Sequence, residues 1–156
     1  MNTSFRACLA AGLAGVLLAA AMSSAAWAHH SFAMYDLSVS KTMTGKLTRF
    51  VIGANHSQLI FNVLEADGKL KMDASGKPLI WGVETTSAAQ LARRGITVKT
   101  FKFGTVLTVR LHPLRDGRNF GALRPEDGLL IGCGMEMPKG GCNENTGTVY
   151  IGKKGE

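Results

Sequence analysis

Hydrophobic and polar positions alternate along three stretches of the chain, and the segments between them supply most of the remaining fold. In "SQLIFNVL" (57–64), Leu59, Phe61 and Val63 fall on one side and Gln58, Ile60 and Asn62 on the other. This period of two marks a strand with one buried face. "LIWGVET" (79–85) repeats it with Leu79, Trp81 and Val83. "TVLTVRLHP" (105–113) sets Leu107, Val109 and Leu111 against Val106, Thr108, Arg110 and His112. "KTMTGKLTRFVI" (41–52) mixes β-branched and apolar residues and stops at Gly53, so it is expected as the first strand. A fifth strand, "NFGALR" (119–124), can return from the hairpin signal Asp116-Gly117.

Two connecting segments have their own signatures. "EADGKLKMDASGKP" (65–78) holds two turn signals and several lysines, which predicts an exposed connection. "SAAQLARRG" (87–95) predicts a short helix: Ser87 and Gln90 fit a capping box, Arg93 and Arg94 fall in the last turn, and Gly95 suits the left-handed closing position. The resulting order is three strands, a helix, then two strands. That is the order of a mostly β, five-stranded, partly open barrel of the oligonucleotide/oligosaccharide-binding (OB) type, whose helix lies between strands 3 and 4. A Gly-rich extension (about 128–156) follows, in which "TVYIG" (148–152) can add an edge strand. No repeat or long linker divides residues 29–156, so one domain is expected.

Residues 1–28 follow a different pattern. Arg6 precedes an apolar run from Ala7 to Met22, and a small-residue segment ends in Ala26-Trp27-Ala28. This is the layout of a secretory signal peptide cut after Ala28. The run is Ala- and Gly-rich and shorter than the roughly 20 residues of a membrane-spanning helix, so no transmembrane span is expected in the mature chain. Much of the 46% hydrophobic content therefore belongs to the leader. Cys8 would leave with it. Cys133 and Cys142 would remain, and in an oxidising periplasm they are expected to form a disulfide.

The formal net charge is +7, and most of it stays with the mature chain. A basic exported protein favours anionic surfaces or acidic partners, and export argues against nucleic acid as a ligand. Solubility alone would also account for the charge. Phe50, Phe61 and Trp81 could stack on bases if exposed, but their alternation with other apolar residues predicts core packing.

"AHHSFAMYD", "TMTGKLTRF", an Asn-His step and "LARRGITVKTFKFGTVLTVR" together resemble a family of small exported bacterial proteins of unknown function with a His-His-Ser-Phe opening after the signal peptide. The resemblance covers roughly residues 29–124. It implies export and the barrel, and it brings no catalytic residues. Where that family carries Asn-Pro-His, this chain has Asn55-His56 without the proline.

Two constellations could carry chemistry. Cleavage after Ala28 would place a free amine and an imidazole on His29, and the amine with Nδ1 can chelate copper or zinc. His30, His56 and His112 are the candidate further ligands. Neighbouring residues of an extended segment point to opposite sides, which favours His56 or His112 over His30. Met135 and Met137 are soft donors compatible with Cu(I). The simpler alternative is a frayed, solvated terminus.

The second constellation is the pair of loops that flank the ligand face in such barrels. Asn55 and His56 lie in the first, Arg115 and Arg118 in the second, with Arg110 and His112 on strand 4 beside them. Together they could hold a small anion. Gly-x-Ser-x-Gly, Cys-x-x-Cys and His-Glu-x-x-His signatures are missing from the sequence, and an enzyme is not expected. The sequence thus points to an exported periplasmic accessory protein that binds a small ligand or a partner protein, with copper as a candidate cofactor. The alternative is a basic protein docking on anionic envelope material without a small-molecule site.

Overall fold

The computed structural model describes residues 32–152. The proposed leader, His29 and His30 lie outside them. The chain divides into two units, 1–34 and 35–156. Of the first, only 32–34 are described; the strands and the helix all belong to the second.

Seven strands and one helix occur in the order β1 (Lys41–Val51), β2 (Ser57–Val63), β3 (Ile80–Thr85), α1 (Ala88–Arg93), β4 (Val106–Pro113), β5 (Phe120–Ala122), β6 (Leu129–Gly132) and β7 (Thr148–Ile151). The first five strands close into a barrel in the order β1-β2-β3-β5-β4, with β4 returning to β1. Long, coiled β1 makes closure possible. Its first half pairs with β4 and its second half with β2, with a bulge between Leu47 and Arg49. A bulge sharpens strand twist, which lets one strand serve both sides of a barrel. The seam between β3 and β5 is short and parallel, from Gly82↔Phe120 to Glu84↔Ala122.

The alternating residues fill the interior as their period requires. Leu59, Phe61, Val83, Leu107, Val109 and Leu111 are buried in one cluster with Trp81. Gly45 permits this packing, since a Cβ there would run into the Phe61 ring. On the other side of β3, a Cβ on Gly82 would run into the Phe120 ring, which packs with Tyr35, Leu114 and Ala122.

Helix α1 begins at Ser87, whose side chain accepts from the Gln90 N–H. The reciprocal half of the expected capping box is not made, because the Gln90 side chain takes the Thr86 hydroxyl instead. The C-terminus closes as a Schellman motif: Gly95, at φ +75°, donates to Ala92 and Ile96 donates to Leu91. Leu91 and Ile96 are both buried in the barrel cluster.

The C-terminal extension is more ordered than its composition suggests. "TVYI" forms β7, and "LLIG" forms an additional strand, β6, on the edge of β4 that β5 leaves unpaired. Neighbouring segments cover the outer face of β4: Val106 packs with Leu64 and Cys142, Thr108 bonds the Cys142 carbonyl and His112 lies between Val39 and Asp127, so Arg110 alone is exposed in that strand. Cys133, just after β6, is disulfide-bonded to Cys142. Cys142 is buried among Leu64, Val106, Leu129 and Ile131, which makes the bond part of a second small core.

Candidate ligand groove

The loop residues singled out from the sequence do not converge on an open anion site. Arg118 turns back within its own hairpin, its Nε 2.8 Å from the Asp116 carboxylate. The Arg115 guanidinium lies 4.0 Å from Asp36. Arg110 is exposed, but it shares a cleft of about 320 Å³ with Glu126, Asp127 and Glu144. An anion would meet carboxylates there.

His112 shares the outer face of β4 with Arg110, as the alternation led one to expect, but that face is covered at this position. The ring is buried, with Nδ1 2.8 Å from the Val39 carbonyl and Nε2 3.0 Å from Asp127. Both ring nitrogens are engaged, which removes this histidine as a ready metal ligand. Among the described residues, no group of three or more His, Cys, Asp or Glu side chains is placed to hold a metal ion. Phe61 and Trp81 are core residues, as expected, and Phe50 packs partly buried against the same cluster.

His56 has a more specific setting. The loop that carries it is drawn tight by Gly53, whose amide reaches the Ser57 hydroxyl and whose carbonyl accepts from Ala88. His56 Nδ1 lies 3.2 Å from Glu84 on β3. Glu84 also accepts from the hydroxyl of Tyr35, whose ring is buried with Leu114 and Ala122. Burial and the adjacent carboxylate push the Tyr35 hydroxyl up to about 12. These side chains tie the first loop, β3 and the segment before β1 together at one end of the barrel.

A roomier hollow than the Arg110 cleft lies elsewhere. A groove of about 780 Å³ runs between the β2–β3 connection and the disulfide-closed segment. Thr42, Met43 and Thr44 of β1 line it with Glu65, Asp67 and Lys71 on one wall and Met137, Lys139, Gly141 and Cys142 on the other. A shallower hollow of about 450 Å³ shares Thr42, Thr44 and Cys142 and reaches Thr108 and Asn143.

Both walls are fixed by local chemistry. The outer connection is folded by bridges Leu64↔Leu70 and Met72↔Pro78. Asp73 closes its tip by accepting from the backbone N–H groups of Ser75 and Lys77 and from the Ser75 hydroxyl. The opposite wall is closed covalently by Cys133–Cys142, and Asn143 and Thr146 donate to the Gly140 and Gly141 carbonyls beside it.

The groove floor has a defined polarity. Thr108 donates its hydroxyl proton to the Cys142 carbonyl at 2.7 Å. Its contact with Thr44, also 2.7 Å, must therefore use the Thr44 proton. Thr44 Oγ1 is left to accept from the groove. Thr42 Oγ1 accepts from Arg110 Nε at 3.4 Å and keeps its own proton to donate. Charges lining the walls balance, Glu65 and Asp67 against Lys71 and Lys139, and Lys71 lies 3.7 Å from Glu65. Met43 and Met137 add apolar surface.

Fold and groove define a closed OB-type barrel with a two-strand, disulfide-tied annex. Residues 16–123 match the model described as "Family of unknown function (DUF6152)", and the chain belongs to that family. No curated protein matches the chain, and no solved structure does either. The family match ends at Leu123. Strands β6 and β7 and the disulfide follow it, so one wall of the groove is built from sequence beyond the matched segment. That wall carried one readable signal, the close pair of cysteines. The threonine floor carried none, because Thr42, Thr44 and Thr108 become neighbours only through the β1–β4 pairing.

Proposed function

We propose that this is an exported accessory protein that holds a small, uncharged polar ligand in the groove floored by Thr42 and Thr44. The observation that carries this reading is the groove itself. Its volume falls in the range of small-molecule sites, it offers a hydroxyl donor beside a hydroxyl acceptor, its wall charges cancel, and its walls are braced by a disulfide and a capped hairpin. A polyhydroxyl compound matches that pattern better than an anion does. Export is supported by the layout of residues 1–28 and by a disulfide of the kind that persists in oxidising compartments.

Thermal unfolding in the presence of a panel of neutral mono- and disaccharides and polyols tests the reading. A ligand at 100 times its dissociation constant stabilises the native state by about 2.7 kcal/mol, so at least one compound should raise Tm by several degrees. Thr44→Val, which keeps the shape and removes the hydroxyl, should abolish the rise. A panel without effect, or an equal response from the variant, would count against the groove.

A further inference from the structure

The connection between α1 and β4 has an unusual surface. It contains two consecutive turns on either side of a buried anchor, Phe101. The anchor makes edge contacts with Phe50 at 5.5 Å and Tyr150 at 4.9 Å. In the first turn Thr100 N–H returns to the Thr97 carbonyl, and in the second Thr105 N–H returns to the Lys102 carbonyl. The second position of each turn is a large apolar residue turned out to solvent: Val98 is 71% exposed and Phe103 is 77% exposed. Lys99 adjoins the first and Lys102 the second. Met135, 51% exposed, brings its methyl group to the Gly104 backbone beside Phe103.

Charge on this part of the chain has one sign. Between Glu84 and Asp116 there is no acidic residue, while Arg93, Arg94, Lys99 and Lys102 all lie in or beside the two turns and are exposed. Exposed Lys46, on β1 opposite Val106, adds a further cation near the second turn. The one carboxylate next to Met135 in sequence is Glu136.

We propose that these two turns dock the protein on the surface of a bilayer rich in anionic phospholipid, with Phe103 and Val98 entering the headgroup–acyl boundary and the lysines and arginines meeting the phosphates. The geometry fits a lipid surface better than a protein partner. Phe103, Val98 and Met135 together offer roughly a few hundred Å² of apolar surface, short of the ~800 Å² per partner of a stable protein interface. Interfacial binding needs only a few inserted side chains together with nearby cations. No described helix is long and apolar enough to cross a membrane, and surface docking requires none. The buried Phe101 ring and the Gly104 N–H bond to the Leu47 carbonyl at 2.7 Å hold both turns in place, so docking orders little additional chain.

Sedimentation of the chain from residue 29 onward with vesicles of phosphatidylcholine, with and without an equal part of phosphatidylglycerol, tests the proposal. Binding should require phosphatidylglycerol. Phe103→Ser should weaken it about tenfold, and Lys99→Ala and Lys102→Ala about fivefold each, while Tm is unchanged because all three side chains are exposed. The fluorescence of a Phe103→Trp variant should shift to the blue on adding the anionic vesicles. Equal binding to neutral vesicles or no binding to either would overturn the proposal. So would charge-dependent binding that is indifferent to Phe103→Ser and leaves the emission of the Phe103→Trp variant unshifted.

Discussion

His112 Nε2 lies 3.0 Å from the Asp127 carboxylate, while its Nδ1 faces the Val39 carbonyl at 2.8 Å. A carbonyl can only accept, so Nδ1 donates there. Through this one buried ring, β4 joins the segment before β1 to the turn between β5 and β6. His112→Ala leaves the Val39 carbonyl without its donor and should cost about 1–3 kcal/mol in denaturant unfolding. Asp127→Asn should cost less, since its side chain is half exposed and water can replace the bond. In a double-mutant cycle the two changes should be less than additive. Full additivity would mean that the pair contributes nothing jointly.

Tyr35 sets an alkaline limit. Its hydroxyl is raised to about 12 in the folded protein from an ordinary value of 10.0, by burial first and by Glu84 second. Between those values the unfolded chain loses the phenolic proton while the native state keeps it. The stability it contributes is therefore complete below pH 10 and is lost as pH rises toward 12. Tyr35→Phe should flatten that part of the stability profile measured by urea unfolding, and an unchanged slope would contradict the assignment.

On the acid side, exposed carboxylates work in the opposite sense. Hydrogen bonds from Ser75 and Lys77 hold Asp73 below the usual carboxylate range, so its contribution is present above the ordinary value of 3.8 and is lost as pH falls beneath it. Asp73→Ala should loosen the tip of the β2–β3 connection. Amide exchange at Ser75 and Lys77 should accelerate, with little change inside the barrel strands.

The disulfide is predicted to hold both stability and the groove wall. Closing so short a loop is worth about 2–3 kcal/mol by the chain-entropy estimate. Cys133→Ser with Cys142→Ala should lower unfolding free energy by that order, and amide exchange should accelerate through residues 133–147. Barrel strands β1 to β5 should keep their protection relative to one another. Unaltered protection in 133–147 would show that the segment is held by its other bonds.

Gly45→Ala tests the barrel packing. Its new methyl group would have to displace the Phe61 ring, and overpacking of this kind costs about 1–3 kcal/mol. Gly76→Ala has open space around it. It should be destabilising only through its positive φ of 75°, so unfolding measurements on the two variants separate crowding from backbone strain.

What the sequence revealed and what it hid divide along the range of the interactions involved. Strands β1 to β5 and α1 were legible because Leu59-Phe61-Val63 and Leu107-Val109-Leu111 carry a local period and Ser87 and Gly95 are local stops. β6 was hidden, since Leu129–Gly132 is too short to show a period. The burial of His112 was hidden as well, because Val39 and Asp127, which flank its ring, lie 73 and 15 residues away along the chain. Arg115 and Arg118 suggested an anion site because the partnership of Arg115 with Asp36 is invisible along the chain. The Asp116-Gly117-Arg118 spacing could have warned that Arg118 would turn back on its own hairpin. The groove was out of reach of any local reading, its floor coming from β1, backed by Thr108 of β4, and its walls from 65–71 and 137–142.

Chemical-shift mapping on isotopically labelled protein decides whether the groove holds the ligand. With a neutral saccharide or polyol that raises Tm, perturbations should cluster at Thr42, Thr44, Thr108, Met137 and Gly141. Perturbations confined to residues 53–57 and 113–118 would place the ligand at the barrel loops and contradict the groove.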